Sequence, residues 1–104
     1  MANEFRVKNG IISSSIATDS GDFTVDSAGD IVFDADGADI LLKDGGTEFG
    51  RFKRDSSDFV IKSATNNKDI IFKGADASST ITALTLDMSE AGSAVFGHDV
   101  TLLN

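Results

Sequence analysis

One short pattern of polar and apolar positions recurs along the chain. An acidic residue is followed by three mostly apolar residues and then by a charged one. The clear copies are Glu4-Phe5-Arg6-Val7-Lys8, Asp22-Phe23-Thr24-Val25-Asp26, Asp30-Ile31-Val32-Phe33-Asp34, Asp39-Ile40-Leu41-Leu42-Lys43, Asp58-Phe59-Val60-Ile61-Lys62 and Asp69-Ile70-Ile71-Phe72-Lys73. They start at positions 4, 22, 30, 39, 58 and 69, so the steps are 18, 8, 9, 19 and 11. The two long steps are about twice the short ones and leave room for degraded copies around Ser15-Ile16-Ala17 and Glu48-Phe49-Gly50. A period of about nine or ten residues accommodates one short strand and one tight turn, which is an all-β signature.

In an extended unit the first and third apolar positions share a side. That side carries Phe5 and Val7, Phe23 and Val25, Ile31 and Phe33, Ile40 and Leu42, Phe59 and Ile61, Ile70 and Phe72, and it is the expected core face. The middle position points the other way. It is Arg6 and Thr24 in two copies but Val32, Leu41, Val60 and Ile71 in four. A sheet with one wet face carries polar residues there. Apolar residues on both sides predict that a second sheet or a neighbouring chain covers the second face. Val32, Leu41, Val60 and Ile71 are therefore the oligomer-interface candidates.

No helix is predicted. Residues 82–88 alternate with period two and read as a strand, residues 89–93 as a turn, and Ala94-Val95-Phe96 and Val100-Thr101-Leu102-Leu103 as closing strands. Asp44-Gly45-Gly46-Thr47 is the plainest turn. The expected organisation is a single all-β domain over 1–104, with 1–20 as an N-terminal attachment or capping segment and 21–104 as strand repeats.

Composition sharpens this picture. Eight Phe with no Trp or Tyr, ten Gly and no Pro suit pleated strands joined by tight turns. Without Cys there is no disulfide framework and no thiolate chemistry. The net charge of -8 argues against a nucleic-acid ligand and an anionic membrane. No apolar run approaches the roughly 20 residues that span a bilayer. The first residues lack the long apolar stretch of a signal peptide, so an outside location is expected to need another route, such as cell lysis.

The opening Glu4-Phe5-Arg6-Val7-Lys8-Asn9-Gly10-Ile11 resembles the start of structural proteins of tailed bacteriophages, especially marine ones. Residues 29–37, residues 58–63, residues 68–74 and residues 81–88 are similar to repeats of their tail-fibre-like proteins. The resemblance implies a virion appendage subunit, assembled in the host cytoplasm, commonly trimeric and meeting a host-surface glycan or protein. Such proteins are usually several times longer, so the chain is expected to be a fragment or the product of a truncated gene. The fold expected is a β-solenoid or β-prism-like fibre module. The alternative is a β-sandwich with an adhesive or carbohydrate-binding role, assisted by calcium.

Candidate chemistry is sparse. His98 is the sole histidine, and Ser93 and Asp99 are its conceivable triad partners, but adjacency in sequence does not make a triad. Neighbouring carboxylates (Asp19 with Asp22, Asp26 with Asp30, Asp34 with Asp36) invite comparison with glycosidases, which need two acids at fixed separation. Their Gly- and Ser-rich surroundings read more simply as solvated turns, and no enzyme is expected. Asp34, Asp36 and Asp39 put hard oxygen ligands close together around Gly37 and are the weak calcium candidates. Arg51-Phe52-Lys53-Arg54 is the one basic cluster, and it is expected to pair with acids on a neighbouring strand or subunit.

Overall fold

The computed structural model describes residues 4–104. The chain is all-β, and two units divide it, Met1–Ile31 and Val32–Asn104. The first unit contains no strand among its described residues. The second contains two antiparallel three-stranded meanders. One sheet is β1 (Asp39–Asp44), β2 (Thr47–Asp55) and β3 (Asp58–Ser63) in that spatial order. The other is β4 (Ile70–Asp76), β5 (Ser79–Asp87) and β6 (Ser93–Phe96). A single 3₁₀ turn, Met88–Glu90, joins β5 to β6.

The hairpins follow from their turn residues. A two-residue loop needs positive φ to match the twist of the strands it joins. Gly45 and Gly46 supply it between β1 and β2, at φ 56° and 84°. Ser56 does so between β2 and β3, at φ 55°. Between β4 and β5 the same geometry falls on Ala77 and Ser78, at φ 46° and 72°. That conformation costs a residue with a Cβ about 1–2 kcal/mol. The β5–β6 link is held by Asp87, whose carboxylate accepts from the amides of Ser89 (3.0 Å) and Glu90 (3.2 Å).

The two meanders repeat one design. Each first strand begins at or just after an aspartate, Asp39 or Asp69, and each middle strand carries a bulge at the same level. Leu42 pairs with Gly50 and Lys43 with Glu48, which leaves Phe49 as the extra residue. Phe72 pairs with Leu84 and Lys73 with Thr82, which leaves Ala83. The carbonyl freed by each bulge is captured by the residue after the third strand. Ala64 N–H donates to Phe49 O at 3.1 Å, and Gly97 N–H donates to Ala83 O at 2.9 Å. The leading aspartates also correspond. Asp39 accepts from the Arg51 guanidinium, and Asp69 accepts from Met88 N–H at 3.0 Å.

Several expected strands are absent. Residues 5–7, 23–25 and 31–33 have strand-forming composition but pair with nothing, and so does the expected closing segment 100–103. A strand is defined by its ladder, and among the described residues these segments have no partner. Local turns lie between several of them. Thr18 Oγ1 donates to Gly21 O and Ser27 Oγ to Asp30 O, each at 3.2 Å, and Ala38 N–H donates to Ala35 O at 2.8 Å. The attachment segment expected at 1–20 is described from residue 4 on, and residues 1–3 lie outside the described residues.

Among the described residues the expected core face is open, with Ile40 and Ile70 half-buried at most. Among the described residues no hydrophobic side chain is buried. The chain exposes 9696 Å². No helix among the described residues is long and apolar enough to cross a membrane.

Candidate functional site

The strand registers place every side chain on a face. On the first sheet Ile40, Phe52 and Ile61 lie level across the three strands, with Leu42 and Phe59 on the same side. On the second sheet Ile70, Leu86 and Ala94 are level, as are Phe72, Leu84 and Phe96. Both faces are apolar, and both are open. Phe59 is 74% exposed and Ile61, Phe72 and Phe96 about half exposed. The Phe52 and Phe59 rings stack, with centroids 6.2 Å apart.

The opposite face of the first sheet is charged. Lys53 stands across from Asp39 and beside Val60, and Arg51 lies between Leu41 and Lys62. The bulge at Phe49 is what brings Glu48 to this face. In a regular strand residues three apart point to opposite sides, and one extra residue restores them to the same side. Arg51 therefore reaches both Glu48, with Nε to Oε2 at 2.6 Å, and Asp39. The expectation that the basic cluster pairs with acids on a neighbouring strand holds for Arg51. Its hydrogen bonds hold the Glu48 carboxyl below its usual range against desolvation, with smaller help from the nearby charges of Arg51, Lys62 and Lys43. The same bonds hold the Arg51 guanidinium above its usual range. Asp87 is lowered as well, first by the Ser89 hydroxyl and then, against desolvation, by the Glu90 and Ser89 amides.

The four interface candidates are accessible to different degrees. Val32 is 81% exposed, Ile71 49% and Leu41 42%, while Val60 is half-buried. Leu41 and Val60 share the charged face of the first sheet. Ile71 lies level with Thr85 and Val95 on the corresponding face of the second sheet.

The candidate chemical groups are not assembled. Among the described residues no three Asp, Glu or His side chains gather as a metal site. Asp39, one of the three calcium candidates, is engaged by Arg51, and Asp34 and Asp36 are exposed on either side of Ala35. His98 Nδ1 lies 3.6 Å from Asp99 Oδ2, both side chains about nine-tenths exposed. Ser93, the third member of the imagined triad, instead donates to Glu90 O at 2.9 Å. Asp19, Asp22, Asp26 and Asp30 are all exposed.

A shallow concavity of about 570 Å³ opens on the apolar side of the first sheet, lined by Phe33, Ile40, Phe52 and Phe59 with Asp34, Asp36, Lys53, Arg54 and Asp58 among its polar groups. Aromatic faces beside charged groups are what the sequence did not announce here. Phe33 and Phe59 belong to separate repeat units, and Phe52 to a strand whose bulge breaks the alternation. Comparison with known proteins finds no match: no protein family, no curated protein and no solved structure is similar to the chain.

Proposed function

We propose that the chain is a non-enzymatic structural subunit of a virion appendage, tail-fibre-like, which assembles as a homotrimer and meets a host surface. The observation that carries the oligomeric reading is the exposed apolar surface. With 40% hydrophobic residues, the chain buries no hydrophobic side chain of its own among the described residues. Soluble monomers rarely leave large contiguous apolar faces open. Neighbouring copies supply the cover, and the sheets then become the walls of a prism-like or solenoidal module. The phage assignment rests on the resemblance of the opening segment and the repeats. Light scattering on the purified protein tests the reading. A mass three times that of the chain supports it, and a monomer at all concentrations refutes it.

The concavity at Phe33, Phe52 and Phe59 favours a second reading, an adhesive, carbohydrate-binding β-sandwich assisted by calcium. Stacked aromatic rings with charged groups beside them suit the apolar face and hydroxyls of a sugar ring. A glycan array, together with a calcium-dependent rise in melting temperature reversed by chelator, decides for it. Silence in both decides against it.

A further inference from the structure

The charge along the chain is unevenly divided. Residues 9–38 hold six aspartates and no base, whereas six of the nine Lys and Arg fall between 43 and 68. Four of these six converge on one face of the first sheet. Lys43, Arg51, Lys53 and Lys62 all lie on the side that carries Leu41 and Val60. Of the four acids on that side, Asp39 and Glu48 are taken up by Arg51, and Asp55 and Asp58 flank the far turn. Lys43, Lys53 and Lys62 form no ion pair among the described residues. Arg51 and Lys62 stand directly opposite one another, a like-charge pairing that weakens a sheet left to itself.

The acidic units are complementary to this face. In Asp22–Asp26 the positions that alternate to one side are Asp22, Thr24 and Asp26, and in Asp30–Asp34 they are Asp30, Val32 and Asp34. None of these aspartates forms an ion pair among the described residues. The spacing also fits. Asp22 and Asp26 are four residues apart, about 13 Å when extended. Lys53 sits level with Asp39 on β1, and Lys43 is four residues further along the same strand.

We infer that the charged face of the first sheet receives the acidic units 22–34 of a second copy of the chain, with aspartates on Lys43, Arg51, Lys53 and Lys62, and Val32 against Leu41 and Val60. The inference rests on the oligomeric reading above and names the surfaces that meet. It makes assembly dependent on salt, since exposed charges are screened beyond about 10 Å at 0.1 M ionic strength.

The test measures association of the full chain by light scattering and sedimentation, with circular dichroism to confirm that the β content is kept. Raising sodium chloride from 50 to 500 mM is expected to weaken association at least about tenfold. Lys43→Glu with Lys53→Glu is expected to weaken it about as much at low salt, and so is Asp22→Lys with Asp26→Lys. The quadruple variant that combines all four changes is expected to recover assembly. Wild-type assembly that ignores salt, or charge-reversed variants that assemble with unchanged affinity, would overturn the inference while leaving the oligomer standing. Variants that shift melting temperature at constant mass would place the contact within one chain and overturn it too. A wild type that is monomeric throughout would remove both readings.

Discussion

Residues 22–34 and residues 39–63 are written in the same alphabet and end in different states. Both carry acidic residues around apolar triplets at steps of eight or nine, or of twice that. In 39–63 the units find partners through two-residue loops in which Gly45, Gly46 and Ser56 take positive φ, and ladders form. In 22–34 the link is a turn from Ser27 to Asp30, where Ser27 Oγ bonds Asp30 O and no residue takes positive φ. Such a corner redirects the chain without reversing it into a hairpin. The triplet therefore sets the propensity to be a strand, and the link decides whether a partner is met within the chain.

The sharpest way to break this comparison is hydrogen exchange across the assembly proposed above. Amides of Phe23–Val25 and Ile31–Phe33 are expected to exchange freely in dilute monomer and to gain about a thousandfold protection, or more, in the assembled protein. The amides in the β1–β2 ladder are expected to be protected already and to change far less. Equal behaviour of the two regions would erase the distinction.

A smaller effect is expected from Gly97→Ala. A Cβ at this position would sit 2.1 Å from Thr82 O, backbone that cannot step aside, and would pull Gly97 N–H from the bulge carbonyl. A loss of about 2–3 kcal/mol, read by denaturant titration, is expected. The residue in the corresponding place of the first meander is already alanine, so Ala64→Gly is expected to cost much less.

Smaller still, and of opposite sign, is repair of the β4–β5 turn. Ala77→Asn with Ser78→Gly supplies the residues its two positive φ values favour and is expected to stabilise the second meander by about 1–2 kcal/mol. A melting temperature that does not rise would show that the turn is not strained. The least effect is expected from pH. Glu48 and Asp87 are held below their usual values of 4.5 and 3.8, so the unfolded chain binds their protons first on acidification. Their contribution is full above those values and is lost as pH falls through the lowered folded ones. A melting temperature that is flat above about pH 5 and declines below it is expected, and Glu48→Gln is expected to flatten the decline.

Much of the fold was legible from residue type. Strands β1, β3, β4, β5 and β6 fall where the triplets or the period-two run placed them, because each pairs with a near neighbour in sequence. The Gly45-Gly46 turn was equally plain. The middle strand β2 was visible only as a degraded copy around Glu48. Its bulge at Phe49 puts Glu48 and Arg51, three residues apart, on one face, and no alternating pattern survives such an insertion. Residues 5–7, 23–25, 31–33 and 100–103 erred the other way, since composition reports willingness to pair and not the presence of a mate. Of the site, the pairing of Arg51 with an adjacent strand could be foreseen from charge. Its link to Glu48 could not, because that depends on the bulge.

Because each meander closes on its own bulge carbonyl, it is a self-contained tile. Duplicating such a tile in tandem adds about thirty residues and one more hydrogen-bonded panel without disturbing its neighbours, as in other repeat architectures. The length of a chain built from such tiles is set by copy number, and a gene can lengthen or shorten it by unequal crossing-over while every tile keeps its own closure.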